Sequence, residues 1–148
     1  MNKSSFEEEL EKHGSFTYRN KGISMMPLLR QGKDLFTVRK LENGERLKKY
    51  DVAFYIRGKD YVLHRVLKVT DTGYIIRGDN CTNKENIPEK NILGVMTEYV
   101  RDGKTYSVSD PVYKRYVKRM LFCSVFRIPW CRFKSKAVRT AKKCLGKH

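Results

Sequence analysis

The apolar side chains along this chain follow three successive rhythms. Ser4 followed three residues later by Glu7 forms a capping-box start, Glu7, Glu8 and Glu9 suit the positive end of a helix, and Gly14 supplies a stop. A short helix over 4–13 is predicted. From there to about residue 100 the pattern changes to short runs rich in Val, Ile, Tyr and Phe, at 35–39, 52–57, 61–69, 74–77 and 92–101. Each run predicts a strand. Gly58-Lys59 is a hairpin signal, Asp71-Thr72-Gly73 a second turn, and Asp102-Gly103 closes the last run. Pro111 then opens a helical stretch in which Val112, Tyr116 and Met120, and Val117 and Leu121, recur at i, i+4 spacing, with Pro129 expected to break or kink it. The expected architecture is therefore a mainly β, antiparallel domain over 1–110 with a short N-terminal helix, followed by a helical tail over 111–148.

Charge separates these two parts further. The chain has 148 residues, 32 Lys and Arg against 16 Asp and Glu, and a net charge of +16. Residues 111–148 hold 12 of the basic residues and no acid, whereas the first 110 hold 20 basic and all 16 acidic residues. The excess charge belongs to the tail, which suits an anionic membrane surface or nucleic acid. Interleaved aromatic and apolar residues (Tyr113, Tyr116, Met120, Leu121, Phe122, Phe126 and Trp130) favour the membrane, with the helix lying along its surface. The competing reading packs the same stripe on the β domain. The longest apolar stretch, 120–126, is far short of the ~20 residues of a spanning helix, and residues 1–20 lack the apolar core of a signal peptide. Cys81, Cys123, Cys131 and Cys144 include no C-x-x-C pair, so neither a metal nor a cofactor is expected and the thiols read as free. A cytoplasmic setting follows, with peripheral contact at the inner face of a membrane.

Three short segments offer chemistry. Gly22-Ile23-Ser24-Met25-Met26-Pro27 presents a serine in a loop bounded by Gly and Pro, where backbone N–H groups can turn toward a developing oxyanion. Leu63-His64-Arg65-Val66 lies within a predicted strand whose alternation puts His64 on the face of Val62 and Val66. A partly buried neutral imidazole there, with a pKa near its ordinary ~6.5, can take a proton from a hydroxyl. Arg77-Gly78-Asp79-Asn80 follows a strand and places a carboxylate where it could orient a histidine. Taken singly, each has a plainer reading: a loop serine bonding local backbone, a structural histidine and an ordinary turn.

Taken in order, with Gly32-Lys33-Asp34, Tyr50-Asp51-Val52-Ala53 and Ile92-Leu93-Gly94-Val95 between and after them, these segments resemble the type I signal peptidase superfamily, which includes the LexA-type self-cleaving repressors. The resemblance covers about residues 20–100. Most bacterial members use a Ser-Lys dyad; His64 in the lysine's place looks like the Ser-His branch of archaea and the endoplasmic reticulum. What the resemblance implies is a fold of coiled antiparallel β-sheets and a peptidase acting on a peptide, protein or leader sequence, with cleavage after small residues such as alanine. Ser24 would be the nucleophile, His64 the general base and Asp79 the third member, with Glu85 in reserve because the branch's second acidic box falls at Asn83-Lys84-Glu85. The Ser24 backbone N–H would donate to the oxyanion; where some relatives add a serine hydroxyl, this chain has Gly22. The alternative is a non-catalytic or regulatory, LexA-like member of the same fold that binds protein, nucleic acid or membrane. The self-cleaving version lacks its Ala-Gly or Cys-Gly bond here.

Overall fold

The computed structural model describes the backbone of residues 3–145 and the side chains of 6–126, 128 and 129. Helix α1 (Lys3–His13) ends where expected. Gly14 takes φ +71°, and its N–H donates to the Leu10 carbonyl at 3.0 Å, a left-handed terminus that glycine adopts without a Cβ penalty. The capping role expected of Ser4 lies outside the described side chains.

Eight strands follow: β1 (Ser15–Arg19), β2 (Leu35–Lys40), β3 (Val52–Arg57), β4 (Asp60–Thr70), β5 (Gly73–Arg77), β6 (Glu85–Pro88), β7 (Ile92–Arg101) and β8 (Lys104–Ser107). Every pairing is antiparallel, in the order β1-β2-β7-β3-β4-β5-β6, with β8 also on β7. β7 is long enough to serve three neighbours. β2 lies along one side of it, while β3 pairs with its first half and β8 with its second. The sheet curls strongly into a half-barrel, so the mainly β expectation holds.

Alternation along β3 explains where the apolar mass goes. Ala53 and Tyr55 enter a core with Leu47, Val62, Val66, Tyr74 and Ile76, whereas Phe54 points the other way and packs with the rings of Phe6, Phe16 and Tyr61. Both faces of β3 are therefore covered, and its four residues from Val52 to Tyr55 are all buried. His64 pairs with Ala53 and shares the core face, as the strand period demands.

Helix α2 (Pro111–Leu145) runs on through Pro129, so the expected break does not occur. Proline costs such a helix one intrahelical hydrogen bond and about 3 kcal/mol. The chain divides into two units, Met1–Lys114 and Arg115–His148. The first turn of α2 belongs to the β unit because the Tyr113 hydroxyl accepts a hydrogen bond from Arg65 Nη1 at 2.9 Å. In the second unit, Phe122, Val125 and Phe126 are all about two-thirds exposed. Among the described residues, no helix is long and apolar enough to cross a membrane, and no group of His, Cys, Asp and Glu is arranged to hold a metal ion. Neither Cys81 nor Cys123 is in a disulfide, and the side chains of Cys131 and Cys144 lie outside the described residues.

Candidate active site

The serine loop is built from both ends and from beneath. Met25, Leu28 and Leu29 are buried and fasten it to the domain. Asn20 Nδ2 donates to the carbonyls of Gly22 at 2.8 Å and Leu29 at 3.1 Å, and Arg101 Nη2 donates to those of Leu28 at 2.9 Å and Pro27. Asp34 sits under the loop, bound by Arg30 and Arg101. Burial works against its charge, but those two guanidinium groups and the Arg30 N–H prevail and hold its pKa below the ordinary value. The Gly32-Lys33-Asp34 segment is thus a support for the serine, and Met26-Pro27 is a cis peptide within the supported turn.

The Gly-Asp-Asn segment divides three jobs among three residues. A Cβ placed on Gly78 would stand 2.7 Å from the Ser24 carbonyl oxygen, 3.0 Å from His64 Nε2 and 2.9 Å from Cys81 Sγ. Only a glycine lets the serine loop and the histidine strand approach each other across that point. Asn80 ties the loop down, its backbone N–H donating to the Ser24 carbonyl at 2.8 Å and its Nδ2 to the Ile23 carbonyl at 3.3 Å. Asp79 has both oxygens engaged by Arg65, with Nε to Oδ1 at 2.8 Å and Nη2 to Oδ2 at 2.7 Å. The neighbouring pair Gly78-Asp79 and the neighbouring pair His64-Arg65 are therefore matched across space: His64 Nε2 faces Gly78 while Arg65 grips Asp79.

The carboxylate beside the imidazole is Glu85. Its Oε1 lies 3.5 Å from His64 Nδ1. Between them stands Tyr55, whose hydroxyl is 3.1 Å from His64 Nδ1 and donates to Glu85 Oε2 at 3.2 Å. Because the single phenolic hydrogen goes to Glu85, the Tyr55 oxygen accepts from Nδ1–H, and the Nε2 lone pair is left facing Gly78 and the cleft. Burial, and secondarily the Glu85 charge, pushes the Tyr55 phenol up and keeps it protonated. Glu85 is in turn held by Arg57 at 3.0 Å. Of the two carboxylates expected near the histidine, Asp79 is paired with the fully buried Arg65 guanidinium, and Glu85 is the one that lies within 3.5 Å of His64 Nδ1.

Ser24 and His64 line one cleft of about 890 Å³, together with Gly22, Asn80, Cys81 and Glu85. His64 is 3 % exposed. Burial pushes its imidazole below 6.5, with Glu85 pulling the other way, so the expectation of an unshifted histidine is corrected downward. The sign for stability follows. An unfolded chain takes up the proton near 6.5 and the fold resists it, so this histidine's contribution is present above pH 6.5 and is lost as pH falls below it. Ser24 is half-buried, with its Oγ 3.9 Å and its N–H nitrogen 4.0 Å from where a Cβ on Gly22 would stand.

A hydroxyl and a neutral imidazole in one cleft, the imidazole oriented by a carboxylate, are the parts that nucleophilic catalysis needs. Sequence reading placed Ser24 and His64 but missed Tyr55 and Arg65. The signal for Tyr55 was available: it alternates with Ala53, the cross-strand partner of His64, and therefore shares its face. Compared with protein-family models and with curated proteins, the chain matches none.

Proposed function

We propose that this chain is a serine peptidase of the signal-peptidase type, on a sheet of the LexA/signal-peptidase kind. The observation that carries the reading is the convergence of the Ser24 loop and His64 Nε2 on Gly78 within one cleft. In this mechanism Ser24 Oγ attacks the carbonyl carbon of a peptide bond while His64 Nε2 takes the hydroxyl proton. The proton then passes to the leaving amine as the C–N bond breaks, and an acyl-enzyme remains on Ser24. Water, deprotonated by the same nitrogen, hydrolyses the ester and restores the hydroxyl. The Ser24 backbone N–H is the proposed oxyanion donor. Glu85, through Tyr55 and directly, stabilises the imidazolium that forms twice in each cycle.

The test is acylation by a serine-reactive fluorophosphonate or an acylating peptide inhibitor. Wild type is expected to label, and Ser24→Ala and His64→Ala to fall to background. Labelling of Ser24→Ala equal to wild type removes the reading. A second expectation concerns pH. The base must be neutral, so the acid limb of kcat/KM is expected to have its midpoint below 6.5, and Glu85→Gln, which removes an influence that raises the histidine pKa, is expected to move it lower. A limb above 7 would point to a different base.

Peripheral membrane contact is the proposed role of the tail. It is supported by the +12 charge of 111–148 and by the exposed Phe122, Val125 and Phe126 at i, i+3, i+4 spacing. Flotation with anionic liposomes is expected for the full chain and not for a chain ending at Lys114, which keeps the Tyr113 contact to Arg65. Equal flotation of the two chains would remove the tail's role.

A further inference from the structure

The cleft that Ser24 and His64 line is bordered by many further residues. Five aromatic residues line the same cleft: Tyr18 of β1, Phe36 of β2, Phe54 of β3, Tyr61 of β4 and Phe6 of α1. These rings are fixed by one another. Phe6 meets Tyr18 edge-on at 4.9 Å and Tyr61 at 5.2 Å, and Phe54 stacks on Tyr61 at 5.6 Å with the planes 7° apart. The cleft that these rings help to line holds about 890 Å³. Small substrate side chains leave such a volume largely unfilled, whereas an aromatic side chain buries about 150–250 Å² in it.

The rim adds charge. Arg19, Lys21, Arg57 and Lys59 line the cleft against Asp60 and Glu85. Glu85 is engaged by Arg57, so its charge is already compensated and the remaining rim is cationic. Lys21 Nζ stands 5.2 Å above the Tyr18 ring, at the border between the cationic rim and the aromatic wall.

We propose that the cleft selects a peptide segment carrying a bulky aromatic or branched apolar side chain, seated against the ring wall, with an acidic residue beside it at Lys21 and Lys59. This names a substrate class for the peptidase reading and rests on it for cleavage, but binding itself does not require the Ser24 hydroxyl. It also departs from the preference for small residues that the family resemblance implies: whatever residue precedes the scissile bond, affinity comes from a large side chain next to it.

Binding is measured on the full chain carrying Ser24→Ala, by fluorescence anisotropy of blocked ten-residue peptides. The parent peptide carries one Phe with an adjacent Glu in an otherwise Ala/Gly/Ser sequence. Replacing its Phe by Ala is expected to weaken binding at least tenfold. Replacing its Glu by Lys is expected to weaken it several-fold at low salt, less as salt rises, and Lys21→Glu with Lys59→Glu in the protein is expected to reverse that preference. Equal binding of the Phe and Ala peptides overturns the proposal, as does an acid preference unaffected by the two lysine changes. The same peptides incubated with wild type separate the two readings. Selective binding without cleavage leaves the cleft's selectivity standing and removes the peptidase; cleavage without selectivity does the reverse.

Discussion

Asp79→Asn is expected to lower stability by about 3–5 kcal/mol, and Glu85→Gln to lower kcat about 10²–10³-fold on a fold of nearly wild-type stability. The first figure follows from burial. Arg65 is 0 % and Asp79 2 % exposed, and the guanidinium spends Nε and Nη2 on that carboxylate, with Nη1 on the Tyr50 carbonyl and the Tyr113 hydroxyl. Burial alone would push the Arg65 pKa down; the Asp79 carboxylate overcomes it and keeps the charge in place. An amide at position 79 leaves that cation buried without its counter-charge. Glu85 is different in kind, since it is only half-buried and its ion pair with Arg57 is at the surface, where such pairs contribute under about 1 kcal/mol. Its larger effect is on the imidazolium. Urea unfolding of both variants, with acylation or peptide hydrolysis rates alongside, separates the roles. A stable but inactive Asp79→Asn beside a fully active Glu85→Gln would return the third position to Asp79.

The parts of this molecule that sequence made legible are those in which one residue does a job that its neighbours repeat. Strands at Val52–Arg57 and Ile92–Arg101 coincide with the apolar runs, because each offers several buried side chains in a row. β1, β6 and β8 escaped detection for the opposite reason. Phe16 is the one buried residue of β1 and Ile87 of β6, and β8 has none, so their pairing is driven by the ladder and by neighbours far away in sequence. The same division runs through the site. Ser24 and His64 stood out as residue types, and their segments stood in an order that resembled a family. The Asp79–Arg65 pair was not legible, because a carboxylate close to a candidate histidine in sequence order gives no hint that the residue after the histidine, Arg65, pairs with it. Tyr55 lies in a predicted strand and is buried in the core, but the polar end of its ring, not its burial, connects His64 to Glu85.

Gly78→Ala is expected to reduce acylation about 10²-fold or more, although it adds only one methyl group. Real Cβ atoms do not approach other heavy atoms as closely as the 2.7 Å this one would have to the Ser24 carbonyl oxygen, and Cys81 Sγ at 2.9 Å and His64 Nε2 at 3.0 Å crowd it further. Something has to move, and both candidates are braced. The serine loop is held by the Asn80 N–H at 2.8 Å and by buried Met25 and Leu29, while His64 is carried by β4 between β3 and β5. Whichever gives way, the placement of the serine loop relative to the imidazole changes, and in the proposed mechanism a displacement of about 1 Å is enough for a loss of this size. Gly22→Ala provides the contrast. Its methyl would meet nothing closer than Ser24 Oγ at 3.9 Å, an ordinary contact, and a loss of less than tenfold is expected. Thermal melts of both variants establish that each is folded before rates are compared. A folded Gly78→Ala that acylates at the wild-type rate would mean that residues 24 and 64 need not meet at this glycine, and the catalytic pairing would have to be abandoned.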